Sequence, residues 1–234
     1  MVSKITEIII LGGGSSIKQA DFALLESILA TKCTILTNYA FKHFSGTFLA
    51  FIDRDFYKPR PDKDNPDIYE ELKELPLIIG INHNGIEEFK LDNTILLDKK
   101  YKRNLTGVFA IDLALKLMDR GTIYLLGFDW NRRLNLPEKD PNYNPKSNLQ
   151  IHYYNDVKHR GMGYVGYYEN HNPDKEFLEF TQKKDIKIYN VSLQSNINCF
   201  EKISYEHMFT LLNKEIYNQE KLRIEIKEKI NLFT

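Results

Sequence analysis

Apolar and polar positions along the chain alternate between two rhythms. Residues 7–11, EIIIL, form a short unbroken apolar run, the pattern of a strand covered on both faces. Residues 20–30, ADFALLESILA, instead place Phe22, Leu25, Ile28 and Leu29 at helical spacing. The alternation then repeats, with strands over 33–38 (CTILTN) and 47–53 (TFLAFID), a helix over 68–75 and strands over 76–82 and 94–98. The longest helical pattern, TGVFAIDLALKLMDRG at 106–121, sets Val108, Ile111, Leu115 and Met118 on one face and Gly121 just past its end. A strand over 122–129, a polar and aromatic stretch over 130–170, a helix over 173–184 and a strand over 186–191 follow. The closing segment EKLRIEIKEKINLF fits a helix through Leu222, Ile226 and Ile230, or a strand through Leu222, Ile224 and Ile226; it reads as helix. Apolar strands alternating with helices predict a three-layer α/β domain around a mostly parallel sheet.

Composition narrows the class. Apolar residues make up 42% of the 234, enough for a full core. Thirty-two basic side chains face 32 acidic ones with no long single-sign block, which argues against a large surface for duplex nucleic acid. Cys33 and Cys199 have no CxxC partner and read as free thiols. The apolar run of the N-terminal segment breaks at Gly12, short of a secretory core, and no run reaches the ~18 apolar residues of a membrane span. The expectation is a cytoplasmic protein with no transmembrane segment; self-association is left open.

In an open parallel sheet ligands bind beyond the carboxyl ends of the strands, so those ends are the informative positions. Here they carry Gly12, Gly13, Gly14, Ser15 and Ser16; Thr37 and Asn38; Asp53, Arg54 and Asp55; Asn82, His83 and Asn84; Asp98, Lys99 and Lys100; and Asp129. Glycines let backbone approach a ligand, and amides opening the next helix favour an anion. GGGSS has neither the GxGxxG spacing, since Ile17 stands at the third glycine, nor a following GK[ST]. It is read either as a nucleotide cradle of another kind or as a purely structural turn. KRNLTG supplies Arg103, suited to bidentate phosphate contacts, and Thr106 and Gly107 at a helix start, with Asn104 as a candidate cap. Asp53 and Asp55 form an Asp-x-Asp pair whose oxygens suit Mg²⁺ or Mn²⁺, or simply face solvent. Between residues 151 and 171 lie three histidines, five tyrosines and three glycines, a composition suited to an aromatic lid. His159 and His171 there are the candidates to take a proton from an acceptor hydroxyl.

In this order, IIILGGGSSIKQAD, TILTN, FLAFIDRD and TGVFAIDLALKLMDRGTIYLLGFDW resemble a Rossmann-like superfamily. It contains the bacterial sialyltransferases of lipooligosaccharide synthesis, the motility-accessory-factor flagellin glycosyltransferases and the archaeal hydroxymethylpterin diphosphokinases. EFLEFTQKKDIKIYNVSLQSNINCF resembles the end of the sialyltransferase domain, where a polar Ser/Asn loop follows a helix and strand. The resemblance implies one nucleotide-binding domain over 1–200, a lid-like insertion at 130–170 and a helical extension at 201–234. It implies a CMP-type sugar donor and transfer to a hydroxyl on an unidentified small molecule or glycan. A Mg²⁺-dependent diphosphokinase acting on a pterin-like substrate and a non-catalytic nucleotide-binding protein are the alternatives. Gly12, Gly13, Gly14 and Ser16 would face phosphate or ribose, with Asn38 and Asp53 approaching from the next strands. Arg103, Thr106 and Gly107 would stand near the reacting end, and Asp129 near ribose or base. Two departures stand out: Gly13 replaces the asparagine of the sialyltransferase turn, and Trp130 and Asn131 stand where their tyrosine pair begins.

Overall fold

The computed structural model describes residues 5–59, 68–130 and 172–233. Its described strands are β1 (Glu7–Leu11), β2 (Cys33–Thr37), β3 (Phe48–Phe51), β4 (Ile78–Ile81), β5 (Thr94–Leu97), β6 (Gly121–Leu126), β7 (Ile186–Asn190) and β8 (Glu201–Lys202). They form one sheet in the order β5-β4-β3-β2-β1-β6-β7-β8, with every neighbouring pair parallel. The described helices are α1 (Phe22–Leu29), α2 (Arg54–Tyr57), α3 (Tyr69–Lys73), α4 (Thr106–Leu117), α5 (Asp174–Phe177), α6 (Tyr205–Leu211) and α7 (Gln219–Asn231).

The unbroken apolar runs are explained by two cores, one on each face. Ile8, Ile10, Ile35, Phe48, Ala50, Ile79, Ile123 and Leu125 point to one side and pack with α4 and with Leu222, Ile226 and Ile230 of α7. Their alternates, Ile9, Leu11, Leu36, Leu49, Phe51, Ile78, Tyr124 and Leu126, meet Leu25 and Leu29 of α1, Leu72 of α3 and Met208 of α6. The period of two in each strand therefore serves both faces, which makes the three-layer, Rossmann-like arrangement.

Chain order locates the site. From β1 the chain steps outward through β2, β3, β4 and β5, then returns to lay β6 on the other side of β1. The reversal of direction between β1 and β6 is the switch point at which open α/β sheets hold their ligands.

Four local expectations are corrected. Helix α4 ends at Leu117, three residues before the expected end, and Gly121 opens β6 with φ +128° instead of closing the helix. A Cβ there would stand 1.9 Å from the Thr6 carbonyl oxygen, so only glycine fits where β6 enters beside β1. Helix 173–184 is one short α-turn, α5, followed by a 3-10 turn at Leu178–Gln182. Residues 201–234 begin as an edge strand, and their helices then pack onto both faces of the sheet. Leu105 rather than Asn104 stands at the position before α4, with no side chain to cap it; the Asn104 amide instead reaches Glu176 at 3.4 Å.

Candidate functional site at the switch point

The glycine turn after β1 is drawn onto the exit of β6. Gly12 N–H donates to the Leu126 carbonyl (2.7 Å) and Gly14 N–H to the Gly127 carbonyl (2.9 Å), extending the ladder past both strands. Ser16 N–H donates to Asp129 Oδ2 (2.7 Å), the Ser16 hydroxyl makes a short hydrogen bond to Oδ1, and the Ser15 hydroxyl lies 3.5 Å from Oδ2. Asp129 is buried, and its carboxylate closes the 3-10 turn Ser15–Gln19. The amides of Gly12, Gly14 and Ser16, expected to face a phosphate, are thus committed to acceptors of the chain itself.

The glycines are needed for closeness. A Cβ on Gly14 would lie 2.6 Å from both Asp129 Oδ2 and the Gly127 carbonyl oxygen. Gly127 takes φ +70°, and a Cβ on it would press on Ile17 and the Gly14 nitrogen. The exits of β1 and β6 therefore nest backbone against backbone, an arrangement that side chains at these positions would separate.

Phe128 joins this turn to α4. Its ring would be met at 3.2 Å by a Cβ on Gly12 and at 2.7 Å by one on Gly107. Gly107 is accordingly the residue that lets α4 begin against Phe128. The Thr106 hydroxyl donates to Asn38 Oδ1 (3.2 Å), tying the same helix start to the exit of β2. Asn38 has φ +47°, a left-handed conformation uncommon outside glycine and tolerated best by asparagine and aspartate. Leu105 offers no side-chain acceptor, so the first-turn amides of α4 carry no side-chain cap. A chain of direct contacts thus links Asn38, Thr106, Gly107, Phe128, Gly12, Gly14, Asp129 and Ser16.

The remaining expected residues are placed differently. Arg103 pairs bidentately with Asp112, and Glu179 lies 3.4 Å from its Nη1. Asp112 sits six residues along α4 from Thr106, about 9 Å up the helix axis. The guanidinium is therefore turned away from the helix start, and the Asp112 hydrogen bond holds its pKa above the ordinary value. Asp53 is exposed at the exit of β3, and Asp55 follows in α2, its side chain outside the described groups. Among the described residues no group of three or more His, Cys, Asp and Glu side chains gathers as a metal site would. His159, His171 and the aromatic stretch from 131 to 171 lie outside the described residues.

Several residues of this region escaped the sequence reading. Asn190 Nδ2 and the Ser195 hydroxyl both donate to the Phe128 carbonyl (3.0 and 2.7 Å). Asn196 N–H and Nδ2 donate to the carbonyls of Asp129 (2.8 Å) and Trp130 (2.7 Å). The Ser/Asn loop after β7 thereby clasps the chain leaving β6 residue by residue, and Trp130 is held with φ +45°. Tyr205, at the start of α6, is buried, and burial first, then the Asp129 charge, raises its hydroxyl pKa. The only sequence signal for the clasp is the density of Ser and Asn after an apolar strand; Tyr205 gives none.

No family model matches the chain, and no curated protein sequence matches it. Among solved structures it is similar to the MAf glycosyltransferase from Magnetospirillum magneticum AMB-1, with TM-score 0.57 and 12% identity over 97% of this chain and 37% of that one. It is also similar to the sialyltransferase CstII from Campylobacter jejuni, solved with the substrate analogue cytidine-5'-monophosphate, with TM-score 0.42 and 16% identity over 99% and 100% of the two chains. The chain spans little more than a third of the length of the first of these. At 12% identity the likeness establishes a fold shared with a glycosyltransferase.

Proposed function

We propose that the chain is a glycosyltransferase-like enzyme that moves a sugar from a nucleotide donor, CMP-type by its motifs, to an acceptor hydroxyl. The observation that carries this reading is the meeting, at the switch point, of an uncapped α4 start with Asn38 and the glycine turn. Because the amides of Gly12, Gly14 and Ser16 are already bonded, phosphate recognition falls to the first-turn amides of α4 at Thr106 and Gly107, where the helix dipole favours an anion. Asn38, fixed through its Oδ1 by Thr106, directs its amide Nδ2 to the nucleotide, and Gly13 lets ribose lie close to backbone. Asp129 acts by holding the turn in shape rather than by touching the ribose.

In this reaction the acceptor oxygen forms a bond to the anomeric carbon as the bond to the donor phosphate breaks. Charge then develops on the leaving phosphate, where amides of a helix start stabilise it best. His159 or His171 would take the acceptor proton.

Isothermal titration with CMP, UDP, GDP and ADP tests the proposal. Saturable heat with CMP, weaker with the others, is expected; no binding of any of the four at millimolar concentration would overturn it. Sugar transfer that persists in excess EDTA would separate it from a Mg²⁺-dependent diphosphokinase using Asp53 and Asp55.

A further inference from the structure

A second feature lies at the amino ends of β3 and β4, at the opposite end of the strands from the glycine turn. A cavity of about 300 Å³ opens between the crossover from β2 to β3, the entry to β4 and α7. Leu36, Phe41, Phe44 and Leu75 give it apolar walls, and two charged side chains, Arg223 and Glu74, also line it.

Arg223 is fixed in place. Its Nε donates to the Thr47 carbonyl (3.0 Å) and its Nη2 to the Gly46 carbonyl (3.3 Å). Those bonds hold the guanidinium without neutralising it. Among the described residues no ion pair reaches Arg223 or Glu74, and none joins the two across the cavity they share. Desolvation lowers the Arg223 pKa, with the Glu220 charge opposing it, as for a cation drawn partly out of water. Two unlike charges kept apart over an apolar floor complement a molecule that is itself apolar in the middle and carries both charges. The volume lies at the lower end of the ~300–1,000 Å³ range of small-molecule pockets, too small for a long-chain amphiphile.

We propose that this cavity binds a free apolar amino acid, its carboxylate on the unused edge of Arg223, its ammonium at Glu74 and its side chain among Phe41, Phe44, Leu36 and Leu75. The site is independent of the nucleotide reading. It shares no residue with the switch point, so an occupant would act at a distance through β2 and β3.

Calorimetry on the full chain with L-phenylalanine as the probe tests this. Saturable binding is expected, weakened at least tenfold in Glu74→Gln and in Arg223→Met. Because Arg223 also fastens α7 to the start of β3, Glu74→Gln is the decisive variant, since Glu74 is exposed and its carboxylate makes no ion pair with a described residue. 3-Phenylpropionate, which lacks the ammonium, and phenethylamine, which lacks the carboxylate, should each bind at least tenfold more weakly than phenylalanine. No saturable heat at millimolar phenylalanine, unchanged affinity in Glu74→Gln, or 3-phenylpropionate binding as tightly as phenylalanine would each overturn the proposal. CMP titrated into Glu74→Gln as into the parent chain keeps the two sites' outcomes separate.

Discussion

In the proposed site Asp129 would supply shape and Asn38 contact. Asp129 accepts from the amide and hydroxyl of Ser16, so Asp129→Asn keeps the side-chain outline but removes the charge and makes the Ser16 hydroxyl turn from donor to acceptor. A loss of about 2–3 kcal/mol is expected, because buried hydrogen bonds to charged groups are at stake. Urea denaturation reads it directly, and a loss under about 0.5 kcal/mol, the size of an ordinary surface change, would mean that Asp129 does not hold the turn. Asn38 should behave in the opposite way. Glycine adopts φ +47° without the cost a Cβ brings there, so Asn38→Gly is expected to leave stability within about 1 kcal/mol of the parent while CMP affinity falls about tenfold. Unchanged CMP affinity in that variant would remove Asn38 from the binding surface. The sequence marked residues that the fold brings together at the switch point, but not the partners they bond. The spacing of GGGSS suggests amides pointing outward, whereas their acceptors are set by Leu126, Gly127 and Asp129, more than a hundred positions away. Arg103 reads as a phosphate ligand until the fold places Asp112 and Glu179 beside it.

Among the elements, the C-terminal segment contributes most to the frame that carries the site. Lys32, buried before β2, gives its ammonium to the Asn213 carbonyl (2.6 Å), Asn213 Oδ1 (2.7 Å) and the Glu215 carbonyl (2.9 Å), and lies 3.0 Å from Glu7 Oε2 on β1. Gln219, Arg223 and Lys229 add bonds from α7 to the Lys32, Thr47 and Leu117 carbonyls. Lys32→Met leaves the buried Glu7 carboxylate without its cation. A loss of about 3–5 kcal/mol is expected, as when one partner of a buried pair is removed. Equilibrium unfolding in urea measures it, and a loss below about 1 kcal/mol would put the anchor elsewhere. Elements with a strong period, β1 to β7, α1, α4 and α7, were legible because apolar spacing and core contact coincide. The edge strand β8 was not, since two residues, Glu201 and Lys202, cannot show a period. Gly121 was misplaced because a glycine after a helical run suits a helix end, while its actual need, the approach to Thr6, is set by a strand far away in sequence.

At the scale of the whole molecule, the two-sided core keeps an unusual set of weak acids out of water, and this fixes how stability responds to alkali. Burial pushes the Cys33 thiol up to about 12, opposed by a hydrogen bond with Thr47, and burial with the Asp174 charge pushes the Cys199 thiol to about 12. Tyr57, Tyr124, Tyr205 and Tyr217 are raised as well, burial being the first cause in each. In the unfolded chain thiols titrate near 9 and tyrosines near 10. Below pH 9 both states hold these protons and the stability is fully present. Above it the unfolded chain releases protons that the folded chain keeps, so the unfolded state gains free energy of ionisation and stability falls as pH climbs from about 9 toward 12. Each fully linked proton contributes a slope of about 1.4 kcal/mol per pH unit, and Cys33, with no solvent exposure, should supply close to one. Urea unfolding of the parent chain and of Cys33→Ala, repeated at steps from pH 8 upward, should therefore give falling curves, that of the variant shallower by about one proton. Parallel curves would mean that Cys33 ionises in the folded protein as readily as in the unfolded one, which its buried place at the start of β2 does not allow.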